Sequence, residues 1–99
     1  MSLLVVYDPD NQDARIAAGV LIHALGPGRR CSSALPLPDL FRVSVLFVGE
    51  PSALVLALAL QEARAVAVVS THAPDLAPKG VLWASGPTLE AAARAATGQ

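Results

Sequence analysis

Four short apolar runs, LLVVY (3–7), RVSVLFVG (42–49), AVAVVS (65–70) and VLWAS (81–85), constrain this chain more than any other feature. The first is rich in β-branched residues and bounded by Asp-Pro, which suits a strand covered on both faces, and the others end likewise in turn-forming residues. A fifth segment, Arg30 to Ala34, lies just ahead of two prolines that cannot donate to a ladder, so it reads as an edge strand followed by loop.

Helix-forming segments separate these runs. After the first run, Asn11 or Asp10 is placed to cap a helix, Asp13 falls in its first turn, and GPG at 26–28 stops it. Ile16, Val20 and Ala24 align with Ala17, Leu21 and Leu25 as its buried stripe. EPSALVLALALQEAR follows the third strand, with Pro51 suited to a first helical turn. PTLEAAARAATG forms the last helix, with Pro87 or Ser85 near its start. The order β-α-β-β-α-β-β-α predicts one three-layer α/β domain over residues 1–99. A mostly parallel sheet of four or five strands is flanked by about three helices, Rossmann-like or flavodoxin-like, in the order 2-1-3-4-5.

Composition narrows the function classes. With 99 residues there is material for one core and not for two. A formal charge of −1 supplies no whole-chain basic field for nucleic acid or an anionic membrane. The single cysteine, Cys31, has no partner for an internal disulfide or a thiolate cluster, which suits a reducing cytoplasm and an inert thiol. MSLLVVYDPD lacks a basic leader region, and no apolar run approaches the roughly 18 residues of a membrane span. The second helix is apolar almost all round. A small domain has little with which to cover it, so a homo-oligomer, a dimer through helix 53–60 or through a sheet edge, is expected.

In a parallel sheet of this kind, ligands bind beyond the carboxyl ends of the strands. Those ends carry YDPD, GEPS, STHAP and ASGP, so Asp8, Asp10, Asp13, Glu50, Ser70, Thr71 and His72 are expected on one rim. Asp10, Asn11 and Asp13 also suit plain turn and capping roles. A proline follows Asp8, which favours an extended conformation aimed at the rim. Nucleophilic catalysis by Ser70 and Thr71 with His72 is not expected, because neighbours on an extended segment point to opposite faces and the three cannot form a relay merely by being consecutive. His23 suits the helix dipole, and Arg29 and Arg30 read as a solvated charge pair. No phosphate-loop or dinucleotide fingerprint is present.

DPDNQDARIAAGVLIHAL resembles the first motif of the DHH phosphoesterase superfamily, with Asp8 at its metal-binding histidine, Asp10 and Asp13 at acidic positions, and Ala17-Ala18 at its paired alanines. VSVLFVGEPSALVLALALQEARAVAVVSTHAP is similar to the stretch leading into the Asp-His-His triplet, with Ser70-Thr71-His72 in its place. The pattern breaks at Gly49, where the family has aspartate, at Ser70 and Thr71, and at Ala14, where it has glycine. The resemblance spans about residues 3 to 75, and no counterpart of the second substrate-binding domain that the family enzymes carry is expected within the 99 residues. The opening additionally resembles a response-regulator receiver domain, again with Gly49-Glu50 where the phosphoacceptor aspartate belongs.

Two-metal phosphoester hydrolysis needs carboxylates and imidazoles enough for both ions. The resemblance therefore implies a non-catalytic binding or assembly module that has lost most of its metal ligands and has no resident cofactor. The alternatives are a weak phosphoesterase with one Mn²⁺ or Mg²⁺ on Asp8, Asp10 and His72, and a phosphorylation-independent receiver-like module.

Overall fold

A computed structural model describes residues 3–34, 38–74 and 78–98. Its elements are β1 (Leu3–Tyr7), α1 (Gln12–Leu25), β2 (Arg29–Ser32), β3 (Ser44–Val48), α2 (Ala53–Glu62), β4 (Ala65–Ser70), β5 (Val81–Ser85) and α3 (Leu89–Thr97). Residues 35–37 and 75–77 are not among the described residues, so of the prolines assigned from sequence to the two long loops Pro36 lies outside them.

The five strands form a single sheet in the order β2-β1-β3-β4-β5, and every pairing is parallel. The central strands are buried on both faces, which their continuous apolar runs require. Alternation along them divides the core. Val5, Leu46, Val48 and Val69 face α1 and α3, whereas Leu4, Val6, Val45, Phe47, Val66 and Val68 face α2. The result is three layers, with two helices on one face and one on the other. The expected fold class and strand order are those of the molecule.

The helix starts follow side-chain oxygens. Asn11 Oδ1 accepts from Ala14 N at 3.1 Å and caps α1; Ser52 Oγ accepts from Val55 N at 3.3 Å and caps α2; Thr88 Oγ1 accepts from Ala91 N at 3.1 Å and caps α3. Pro51 therefore precedes the cap of α2 and is not in its first turn, and α3 starts from Thr88, after both Ser85 and Pro87.

The stripe expected on α1 is only partly the buried one. Ala14, Ala17, Ala18 and Leu21 are buried, while Ile16 and Leu25 are 43% and 52% exposed. The face of α1 that meets the sheet also meets Ala92 and Ala93 of α3, both fully buried. Small residues there let the two helices and the sheet approach closely, and the bulkier side chains turn outward. At Gly86, between β5 and α3, a Cβ would come within 2.8 Å of Ala92 N, so only glycine fits that close approach.

On the other face α2 lies alone. Val55 and Ala59 are buried against the sheet, but Leu54, Leu58 and Leu60 are 64%, 40% and 39% exposed. None of the described helices is long and apolar enough to cross a membrane.

Candidate functional site

Because all strands run in parallel, Tyr7, Val48, Ser70 and Ser85 end on one edge of the sheet. The chain proceeds from β1 outward to β2, then returns to place β3, β4 and β5 on the other side, so strand order reverses between β1 and β3. A cleft of about 390 Å³ opens at that point. Val6, Ala14, Phe47, Val55 and Leu89 give it an apolar lining, and Asp8 and Glu50 contribute carboxylates. A second depression of about 380 Å³ adjoins it, sharing Asn11, Gly49, Glu50 and Leu89, and is lined further by Asp13, Ser70, Thr71 and His72. Six of the seven rim residues expected from sequence thus line two neighbouring hollows. Asp10 lies outside both.

Neither hollow has a lysine or arginine in its lining. With Asp8, Asp13 and Glu50 present, the local field opposes an anionic ligand and admits a neutral or cationic one. A third cavity, about 480 Å³ between Leu21, Leu25, Leu82 and the end of α3, contains no ionisable side chain.

The acidic turn after β1 is used largely to build itself. Asp8 Oδ1 accepts from Asp10 N at 3.0 Å, and Asp8 O accepts from Asn11 N at 3.1 Å, an Asx-turn that delivers the chain to the α1 cap. Asp13 serves a different helix from its own. Its Oδ2 accepts from Leu89 N at 2.8 Å and its Oδ1 from Glu90 N at 3.3 Å, which places a carboxylate on the amino end of α3.

At the end of β4, three side chains form a hydrogen-bonded series. His72 Nε2 lies 3.0 Å from Glu50 Oε2, and His72 Nδ1 lies 3.3 Å from Ser70 Oγ. With the ring neutral and its proton on Nε2 toward the carboxylate, Nδ1 is the acceptor that the serine hydroxyl faces. His72 N also donates to Ser70 Oγ at 3.3 Å. Trp83 Nε1 donates to His72 O at 3.0 Å, and the two rings meet edge-on, 6.3 Å between centroids, which fixes the loop that carries the imidazole. Parity explains the series. The expectation that this stretch forms no relay is corrected for one pair: Ser70 and His72, two apart, meet, with Glu50 supplied by the β3–α2 connection.

Asp8, Asp10 and His72 are not assembled into a metal centre. Among the described residues no three His, Cys, Asp or Glu side chains are grouped to hold an ion. Asp8 is turned to its own backbone, Asp10 is off the rim hollows, and His72 is engaged by Glu50 and Ser70. Gly49, where the sequence resemblance leads one to expect an aspartate, has φ of +95°, a conformation that suits glycine and strains an aspartate.

Of the remaining titratable candidates, burial pushes the Cys31 thiol above its ordinary range and neighbouring Arg29 pulls it partly back. That is the opposite of an activated thiolate. His23 is exposed in the last turn of α1, as the dipole argument expects.

Fold and site together define a doubly wound α/β domain with an acidic carboxyl edge. Compared with family models, with curated proteins and with solved structures, the chain has no match in any of the three.

Proposed function

We propose that this chain is a small-ligand-binding and assembly module of DHH-type ancestry, without two-metal phosphoesterase chemistry. The observation that carries the reading is the cleft between the ends of β1 and β3. It lies at the reversal of strand order, is largely apolar inside and is edged by Asp8 and Glu50, the combination by which open α/β sheets hold small molecules. Its ligand is neutral or cationic, with an apolar part for the Phe47 and Val55 lining. The DPDNQDARIAAG motif at the end of β1 supports the ancestry, and the glycine at position 49 accounts for the lost metal chemistry.

Assembly rests on α2. Leu54 and Leu58 are separated by one helical turn on its uncovered side and form an apolar stripe that a second copy would cover.

Amide chemical shifts test the ligand reading. Titrated with a panel of small neutral and cationic metabolites, the backbone signals of Ala14, Val48, Gly49 and Leu89 should move together for at least one compound and stay fixed for its anionic analogue. A panel that moves only residues away from the cleft, or moves none, removes this reading.

A further inference from the structure

The end of β4 carries two groups, Ser70 and His72, that ligand binding at the β1/β3 cleft does not use. Ser70 is the one buried polar residue of the described core, 2% exposed, and its side chain belongs to the lining of the adjoining depression. Its hydroxyl faces an imidazole nitrogen whose tautomer is set by a carboxylate on the far side of the ring. Nucleophile, base and orienting acid in hydrogen-bonded series is the arrangement that activates a serine, whatever the fold or the order in the chain.

We propose that Ser70 is an acyl acceptor, with His72 as its general base and Glu50 as the positioning residue, and that the depression turns over short-chain esters of uncharged acids. The Ser70 Oγ lone pair attacks the ester carbonyl carbon, and the carbonyl π electrons move to oxygen. The Oγ proton passes to His72 Nδ1. Collapse of the tetrahedral species breaks the bond to the leaving alcohol, which takes that proton from Nδ1. Water then attacks the acyl-serine with the same base, releasing the acid and restoring the hydroxyl.

Three observations define the substrate. Ser70 is recessed, so only a small acyl group reaches it. The lining has no cationic side chain and contains Asp13 and Glu50, so phosphate esters and anionic acyl groups are disfavoured. Asn11 and Thr71 line the same depression, and their side chains carry amide and hydroxyl donors of the kind that stabilise an oxyanion.

The test is reaction of the purified full chain with p-nitrophenyl acetate, read as nitrophenol release and as peptide-mapped acetylation. Acetyl on Ser70 is expected, with nitrophenol release from the ester and none from p-nitrophenyl phosphate. Ser70→Ala should abolish the Ser70-dependent burst. Ser70→Cys should restore acylation as a mapped thioester, which covers the case in which the alanine variant does not fold. His72→Ala should slow acylation about a hundredfold or more, with recovery in added imidazole. Glu50→Ala should lower the acylation rate at unchanged KM, because Glu50 acts on the ring and not on the ester. Acetylation confined to Lys79 or the amino terminus, or a rate unchanged in Ser70→Ala, overturns the proposal. Either result leaves the β1/β3 ligand cleft as it stands.

Discussion

The carboxylate of Asp13, in the first turn of α1, holds the backbone N–H of Leu89 at the start of α3, 76 residues further along the chain. This one side chain joins the first β-α unit to the last helix, on the face where Ala14, Ala17, Ala92 and Ala93 pack. It satisfies two amides that α3 cannot satisfy within itself and places negative charge at the positive end of its dipole. Asp13→Ala should therefore lower stability by about 1–2 kcal/mol, the range of a lost cap, with the urea midpoint falling and the slope unchanged. Asp13→Asn keeps an acceptor and should lose less. An alanine variant as stable as the parent would reduce the Asp13–α3 contact to a bystander.

Metal addition separates the binding module from the phosphoesterase alternative. A native-state site raises the thermal midpoint by mass action, and the scattered positions of Asp8, Asp10 and His72 provide none. Millimolar Mn²⁺ or a chelator should leave the midpoint where it was. A rise with Mn²⁺ that disappears in Asp8→Ala would reinstate the metal reading.

Position 49 bears on the same question from the backbone. Gly49 has φ of +95°, and its N–H donates to Val69 O at 2.7 Å, tying β3 to β4. Gly49→Asp adds a carboxylate at the end of β3, yet strains the turn by about 1–2 kcal/mol. The variant should unfold at lower urea than the parent and still show no Mn²⁺-dependent stabilisation.

Association through α2 has a direct measurement. Light scattering at micromolar concentration should report a mass above the 10.2 kDa protomer, and Leu54→Glu with Leu58→Glu should return it to the protomer without loss of stability, since neither residue is in the core. A parent protein that scatters as 10.2 kDa would remove the assembly part of the reading.

The sheet was legible because its signals are local. Continuous apolar runs at 3–7 and 65–70, each closed by turn residues, specify buried parallel strands before any long-range contact is known, whereas the run at 81–85 forms the edge strand β5, with Leu82 exposed. The strand order followed from connection rules. The rim followed too, since carboxyl ends of parallel strands share an edge wherever the side chains point. What remained hidden depends on which helix meets which. Asp13 looks like an ordinary first-turn aspartate until α3 docks, and the exposure of Ile16 reflects alanines on a helix more than 70 residues away. The Ser70–His72–Glu50 series had a signal, the two-residue spacing of serine and histidine beyond a strand, but its third member comes from another connection and carries no pattern of its own.

The thiol of Cys31 gives a pH dependence whose sign is fixed by its surroundings. Half-burial beside the α2-side core raises its pKa above the ordinary 9.0, and Arg29 offsets only part of that. Below that ordinary value both folded and unfolded chains keep the proton, and the thiol's contribution to stability is fully present. Above it the unfolded chain ionises first, so stability falls with rising pH until the folded thiol also ionises. Urea midpoints compared at about pH 8 and about pH 10 should show this decline, and Cys31→Ala should remove the thiol's share of it. Alkylation of Cys31 by iodoacetamide should likewise be slow in the native protein and rise on unfolding. A native rate equal to the unfolded one, or a Cys31→Ala variant with the parent's full alkaline decline, would show that the thiol is not held protonated by its place against the core.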